Sequence, residues 1–271
     1  MKIGLVQTRT PTSQEAALDH VLPLVREAVA QGAELIATPE GSNLLQKNRD
    51  KLFPALKSLD EDPFVQGMRQ AAKDLAVWIL IGSALVKRED GKCANRAVLI
   101  DPQGRVTATY DKLHMFDVDL PTGERHRESA LYTPGEQAVV AETPWAKIGL
   151  TVCYDVRFPH LYRTLAQAGA EVITVPAAFT RPTGEAHWEV LMRARAIETG
   201  SFVLAPAQGG FHEDGRGTWG RSIVVGPWGE VLAKLDHDEP GVLLADLDLA
   251  AAGKARRAIP ALVNARPFTG P

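Results

Sequence analysis

Gly32-Ala33-Glu34-Leu35-Ile36-Ala37-Thr38-Pro39 and Gly169-Ala170-Glu171-Val172-Ile173-Thr174-Val175-Pro176 align without a gap, one in each half of a 271-residue chain. In each, a helix ends at Gly and an apolar strand runs into Pro, which cannot donate to a continuing ladder. Two such helix–strand units predict a pseudo-symmetric pair of sheets packed face to face, with helices outside. The competing reading is coincidence of a common helix-to-strand turn.

Around these segments, short β-rich runs alternate with amphipathic helical ones. Lys2–Gln7, Glu34–Thr38 and Val77–Val86 read as strands, with Ser13–Gln31 and Pro63–Leu75 as helices between them, the α/β pattern. Ala94–Asp101 and Arg105–Lys112 form a hairpin around Pro102-Gln103-Gly104, so the sheet is mixed. The second half continues with strands 147–153, 171–175 and 202–206 and helices 160–167 and 187–199. A second hairpin turns at Pro227-Trp228-Gly229, and strand 242–246 follows. Gly209 to Gly220 is glycine-rich but lacks GK[ST], and it reads as a loop rather than a phosphate cradle.

A formal net charge of −3 with no block of like charges gives no support to nucleic-acid binding or a polybasic membrane patch. No apolar run reaches the roughly 18 residues needed to span a bilayer, and the N-terminus turns polar too early for a signal peptide. The two cysteines, Cys93 and Cys153, lack metal-ligand spacing. These features lead to the expectation of a cytoplasmic chain with free thiols and no metal.

Three residues stand where chemistry could occur. Apolar strand Ile148–Val152 delivers Cys153 to its C-terminal end, ahead of a helix; that sheet edge is where open α/β folds bind ligands. A thiol there is expected to be acidified by helix N–H groups; alternatively it is a small buried hydrophobe. Glu40 follows Thr38-Pro39 at another strand end and reads equally as a helix-capping carboxylate. Lys112 closes Tyr110-Asp111-Lys112, where an ion pair with its neighbouring aspartate is the plainer reading. A thiol nucleophile needs a base, and attack on an amide needs a donor for the oxyanion; Cys, Glu and Lys together meet both needs. His114 and His187 lack a sequence context that would make either a protease base.

Thr38-Pro39-Glu40, Tyr110-Asp111-Lys112-Leu113-His114 and Val152-Cys153-Tyr154-Asp155-Val156-Arg157-Phe158-Pro159 match, in order, the three motifs of the nitrilase superfamily, which the chain resembles. Glu128 in Arg127-Glu128-Ser129 matches that family's second glutamate. The resemblance implies a four-layer α-β-β-α sandwich, two mixed sheets with helices outside. Residues 1–271 then form a single carbon-nitrogen hydrolase domain with a C-terminal tail from about Arg256, which crosses to a partner or lies over its own sheet. It also implies a homodimer, no cofactor, and a small-molecule amide substrate.

Under the resemblance, Cys153 is the nucleophile, Glu40 the base, and Lys112 with the Tyr154 N–H the oxyanion donors, with Glu128 supporting Lys112 or the substrate. Tyr154, Arg157, Phe179, Thr183 and His187 are the substrate-binding candidates. Arg157 either clamps a substrate carboxylate or forms a structural salt bridge. The Arg157-Phe158, Ala178-Phe179-Thr180, Arg193–Glu198 and Gly226–Gly229 segments look most like the branch of deaminated glutathione amidase and omega-amidase, and the Gly209–Gly220 stretch with Thr183-Gly184-Glu185-Ala186-His187-Trp188 tilts the resemblance to the first. Nitrilase, N-carbamoyl hydrolase and a catalytically idle binding protein are the other readings. Two departures soften the substrate assignment: Arg221 stands where many relatives have His, and Gly226 where many have Asp.

Overall fold

The computed structural model describes residues 1–270. Strand β1 (Lys2–Gln7), helix α1 (Gln14–Ala30) and strand β2 (Leu35–Ala37) lead to helices α2 (Arg49–Ala55) and α3 (Pro63–Asp74). Strands β3 (Trp78–Lys87), β4 (Cys93–Ile100) and β5 (Val106–Asp111) complete the first half, and a small hairpin of β6 (Asp117–Asp119) and β7 (Arg125–Arg127) follows. Next come β8 (Val139–Glu142), β9 (Lys147–Leu150), α4 (Pro159–Gln167), β10 (Val172–Thr174), α5 (Arg181–Thr199) and β11 (Phe202–Ala205). The chain closes with β12 (Gly209–Phe211), β13 (Gly217–Trp219), β14 (Ile223–Val225), β15 (Val231–Lys234), β16 (Gly241–Asp246) and α6 (Ala250–Ala258).

Two six-stranded sheets result, ordered β16-β1-β2-β3-β4-β5 and β15-β14-β11-β10-β9-β8. Each holds three neighbouring parallel strands flanked by antiparallel ones. The echoed segments supply the middle strand of each parallel trio, β2 and β10. A second echo accompanies them: Lys2-Ile3-Gly4-Leu5 and Lys147-Ile148-Gly149-Leu150 are identical in sequence and occupy equivalent strands. Even the linking bonds repeat, Glu34 N–H to Lys2 O at 2.8 Å and Glu171 N–H to Lys147 O at 3.0 Å.

Alternation along these strands makes the layers. Ile3, Leu5, Leu35 and Ala37 share one buried cluster with Ile148, Leu150, Val172 and Val203, which fills the space between the sheets. Val6, Ile36, Ile79 and Ile81 point the other way, into a cluster with Val21, Val25, Phe64 and Met68 of α1 and α3. Gly4 and Gly149 are the close-approach points: a Cβ on Gly4 would lie 2.9 Å from Ala28 Cβ, and one on Gly149 3.2 Å from Leu165 Cβ. The architecture is the α-β-β-α sandwich expected from the resemblance. Helix ends follow local chemistry, since Ser13 caps α1 through Ala16 N–H and Asp62 caps α3 ahead of Pro63.

Several boundaries differ from the sequence reading. The glycine-rich stretch is a hairpin, β12 paired with β13, rather than a loop. Helix α5 begins at Arg181, six residues before the expected His187. Pro182 is preset for a first helical turn, and Gly184 is not a breaker but the place where Trp219 packs, 2.2 Å from a virtual Cβ. Helices α2 and α6 and strand β8 were not foreseen. Within the chain, Arg256 Nε donates to Thr199 O (3.1 Å) and Arg163 Nη2 to Leu262 O (3.2 Å). The last residue of the C-terminal tail, Pro271, lies outside the described residues. No helix among those residues is long and apolar enough to cross a membrane.

Strand β3 carries a register shift between Ile81 and Ala84, and this irregularity shapes the turn that presents Glu40. Ser83 Oγ accepts from Gly41 N–H (2.8 Å), and Ser83 N–H donates to Pro39 O (3.1 Å). Between them, Gly82 is pressed so closely that a Cβ would fall 1.9 Å from Thr38 O and 2.4 Å from Pro176 Cβ. Gly82→Ala is therefore expected to destabilise the protein by about 3 kcal/mol. Urea unfolding measures this, and an unchanged midpoint would mean that the Thr38 carbonyl moves aside freely.

Candidate active site

Glu40, Lys112, Glu128 and Cys153 arrive from four separate places. Glu40 follows β2, Lys112 follows edge strand β5, Glu128 opens a 3-10 turn after β7, and Cys153 starts a 3-10 turn after β9. They meet in one buried cluster. Lys112 Nζ donates to Glu40 Oε1 at 2.8 Å and to Glu128 Oε1 and Oε2 at 2.9 and 2.8 Å. The ammonium is 1% exposed, so the two carboxylates replace its water. The ion pair with Asp111 that the sequence allowed does not form, because Asp111 is engaged by Arg96 in two hydrogen bonds.

Around Glu40 every acceptor is used. Oε1 also accepts from Asn95 Nδ2 (2.9 Å), Oε2 accepts from Ala178 N–H (2.9 Å), and the Cys153 thiol lies near enough to the same carboxyl to lower its pKa. Asn95 Nδ2 reaches Glu128 Oε1 as well (3.1 Å), while its Oδ1 is buried with no partner. That orientation of the amide is the only one that gives both carboxylates a donor.

The electrostatics follow from this packing. Burial disfavours the Glu40 carboxylate, but the Lys112 charge and the bonds from Cys153, Lys112 and Asn95 outweigh it and hold the pKa below the usual value. For Lys112 burial favours the neutral amine; the Glu128 and Glu40 charges overcome it and raise the pKa well above that of a free lysine. Burial, then the Glu40 charge, pushes the Cys153 thiol well above its ordinary range, against smaller pulls from Lys112 and Ala178 N–H. This reverses the expectation of an acidified thiol. With two carboxylates and one ammonium nearby, a thiolate would add a second net negative charge to a dry site. The resting arrangement is a thiol facing a carboxylate that can take its proton.

Cys153 is held in a left-handed conformation, φ +48°, uncommon for a non-glycine residue. Asp155 fixes this turn from below. Its Oδ2 accepts from Val152 N–H (2.8 Å) and Tyr110 O–H (2.7 Å), and its Oδ1 accepts from His114 N–H (3.0 Å) and contacts His114 Nδ1 (2.7 Å). His114 stacks on Phe158 at 3.6 Å between ring centres. Both residues therefore shape the backbone at Cys153 rather than reach the cavity.

The cluster forms the floor of a cavity of about 620 Å³. Tyr154, Arg157, Phe179 and Thr183 line it, as does Asn95; His187 does not, and touches the site only through Arg157, with Nδ1 3.3 Å from the guanidinium nitrogens. Arg157 forms no salt bridge with Asp155, and its guanidinium lies 5.6 Å from the Phe179 ring centre. Cys93 is buried away from the cavity among Leu44, Leu52 and Leu85. Sequence reasoning missed Asn95, the Ala178 N–H, and the Gln46–Lys47 and Gly215–Gly217 segments of the wall. Asn95 sits mid-strand without a motif, and Ala178 acts through backbone, which carries no sequence signal. Of the two departures from family pattern, Arg221 takes φ +59° and stacks on Trp219, and a Cβ at Gly226 would collide with the Glu230 carboxylate.

Comparison with known proteins places the chain in a family. The carbon-nitrogen hydrolase family model matches residues 2–257. Deaminated glutathione amidase of Yersinia enterocolitica is 42% identical over 238 residues, 87% of this chain and 82% of its own length. The Homo sapiens protein of the same name is 40% identical over 265 residues, 96% of this chain and 80% of its own. Among solved structures, the C. elegans NitFhit protein superposes with a TM-score of 0.90 at 31% identity, covering 98% of this chain and 65% of that one. A mutant amidase from Nesterenkonia sp. AN1, with acrylamide added at its active site cysteine, superposes with a TM-score of 0.79 at 28% identity, covering 96% of this chain and 98% of that one. The match along nearly the whole sequence, together with the shared sandwich, makes this chain a member of the carbon-nitrogen hydrolase family.

Proposed function

We propose that this chain is an amidase that hydrolyses deaminated glutathione through a Cys153 thioester. The observation that carries the reading is the meeting of the Cys153 thiol with the Lys112–Glu40–Glu128 cluster on the floor of one cavity. The names of relatives at 40–42% identity supply the substrate. Glu40 takes the Cys153 proton as sulfur attacks the amide carbon, and the carbonyl oxygen becomes an oxyanion beside Lys112 and the Tyr154 N–H. Collapse breaks the C–N bond, and the amine leaves with the proton from Glu40. Glu40 then deprotonates a water that attacks the thioester, releasing the acid and restoring the thiol.

Glu128 and Asn95 act through the other two, fixing Lys112 and the Oε1 edge of Glu40. Arg157, without a carboxylate partner, binds the substrate's 2-oxo acid carboxylate against Phe179 and Thr183. The same reading takes residues 1–271 as one hydrolase domain, supported by a core cluster that runs from Ile3 to Ala252. Free Cys93 and Cys153 suit a reducing cytoplasm. Exposed Ile197, Trp228, Ile259 and Val263 offer an apolar surface for the homodimer. Omega-amidase activity on 2-oxoglutaramate is the second reading, favoured by the same Arg157 site.

Incubation with deaminated glutathione, following release of 2-oxoglutarate, is the direct test, and activity surviving in Cys153→Ala would overturn the mechanism. Lys112→Ala should lower kcat by about a hundredfold or more, with a thermal melt confirming the fold; near-full activity would remove Lys112 from the oxyanion site. Because Glu40 works deprotonated and its pKa is depressed, the acid limb of kcat/KM should lie below the ordinary glutamate range. Asn95→Leu removes a donor to the charged form, so that limb should move to higher pH; a fixed limb would make Asn95 a packing residue only. Arg157→Lys should raise KM for 2-oxo acid amides, since the planar fork is lost, and an unchanged KM would return Arg157 to a structural role.

A further inference from the structure

Six lysines and arginines line the cavity: Lys47, Lys112, Arg125, Arg127, Arg157 and Arg216. Four are answered by carboxylates. Lys112 has Glu40 and Glu128, Arg125 and Arg127 share Asp119, and Arg216 holds Asp214 at 2.8 Å. Among the described residues, Lys47 and Arg157 alone of the six have no carboxylate within 4.0 Å. The one other acidic side chain on the wall, Glu124, faces His126 at 3.6 Å. A cavity with two unanswered cations suits a ligand with two separate anionic groups.

The two cations belong to different ends of the reaction. Arg157 is four residues beyond the nucleophile and packs with Tyr154 and Phe179. Lys47 stands at the end of the segment that leaves Glu40, of which Gly41, Leu45 and Gln46 also line the cavity. Glu40 is the group that hands its proton to the leaving amine, so this wall is the leaving-group side. The tip of the β12–β13 hairpin closes over it. Gly215, at φ +80°, brings bare backbone beside the ammonium; a Cβ there would sit 3.2 Å from Lys47 Nζ. Next to it Arg216 is oriented by Asp214, whose side chain is fully buried.

We propose that Lys47, beside the Gly215–Arg216 turn, forms a subsite for a carboxylate carried by the leaving amine. In the substrate already proposed, it is the terminal carboxylate of the leaving dipeptide that Lys47 would receive. This inference rests on the amidase reading and adds a specificity determinant to it. It explains why the cavity extends well past what release of ammonia requires. Lys47 binds and does not take part in bond breaking.

The test compares deaminated glutathione with its C-terminal amide, which differs only by loss of the terminal charge. In Lys47→Met the ratio of kcat/KM for the acid to that for the amide should fall roughly tenfold, the scale of one charge-assisted contact, through KM rather than kcat. An unchanged ratio overturns the subsite. Calorimetric binding of the Cys-Gly dipeptide to wild type and Lys47→Met gives a second reading that needs no turnover. Dipeptide binding weakened by a similar factor supports the subsite, and equal binding, or none by wild type, overturns it. If wild type cleaves neither deaminated glutathione nor 2-oxoglutaramate, the amidase assignment fails while the dipeptide result still decides the subsite.

Discussion

The buried ammonium of Lys112 is the interaction on which the site depends. At 1% exposure it has exchanged water for two carboxylates, and each of those is held by further donors. Such a group is costly to bury alone, and removal of one partner from a buried pair typically costs about 3–5 kcal/mol. The triple therefore locks together the end of β2, the end of β5 and the loop that carries Glu128. It also sets the proton on Cys153. One ammonium cannot offset two carboxylates and a thiolate, so the cluster favours the protonated thiol. The cluster thus divides a lowered carboxyl pKa and a raised thiol pKa between two residues.

That division sits on a backbone that is nearly symmetric. Lys2-Ile3-Gly4-Leu5 and Lys147-Ile148-Gly149-Leu150 open equivalent strands, and the same count of residues beyond each reaches Thr8 in one sheet and Cys153 in the other. Likewise Pro39 is followed by Glu40, but Pro176 by Ala177. The equivalent positions without chemistry are used to build: Thr8 Oγ1 bonds to Gln208 (3.0 Å), and Gln208 in turn donates to Glu40 O (3.0 Å). One sheet delivers Glu40 and the other Cys153. Cys153 N–H donates to Pro176 O at 2.9 Å, which ties the thiol turn to the echo of the strand that carries Glu40.

Much of this was legible in the sequence for a physical reason. Alternating apolar residues, the Gly and Pro that bound β2 and β10, and the caps of α1 and α3 are local signals, and they predict layers without knowledge of contacts. The three candidate residues were legible because each stands just past the end of a strand, where the ladder releases the chain toward the sheet edge. Misreadings arose where a local signal had a tertiary cause. Helix α5 was expected only from His187, yet it starts at Arg181, where Gly184 makes room for Trp219, and the glycines from 209 to 220 looked like a loop but form a paired hairpin.

The sequence by itself determined the layer order, the strand ends and the types of chemical group delivered there, because side-chain alternation and backbone conformation are encoded within a few residues. Tertiary structure alone decided the charge state of the thiol, the union of Asn95 and Ala178 N–H with Glu40, and which cations remain unanswered around the cavity. Those depend on distances between segments far apart in the chain, as in the 138 residues between Glu40 and Ala178. A pKa or a free cation is a property of neighbours in space, and no local pattern records them.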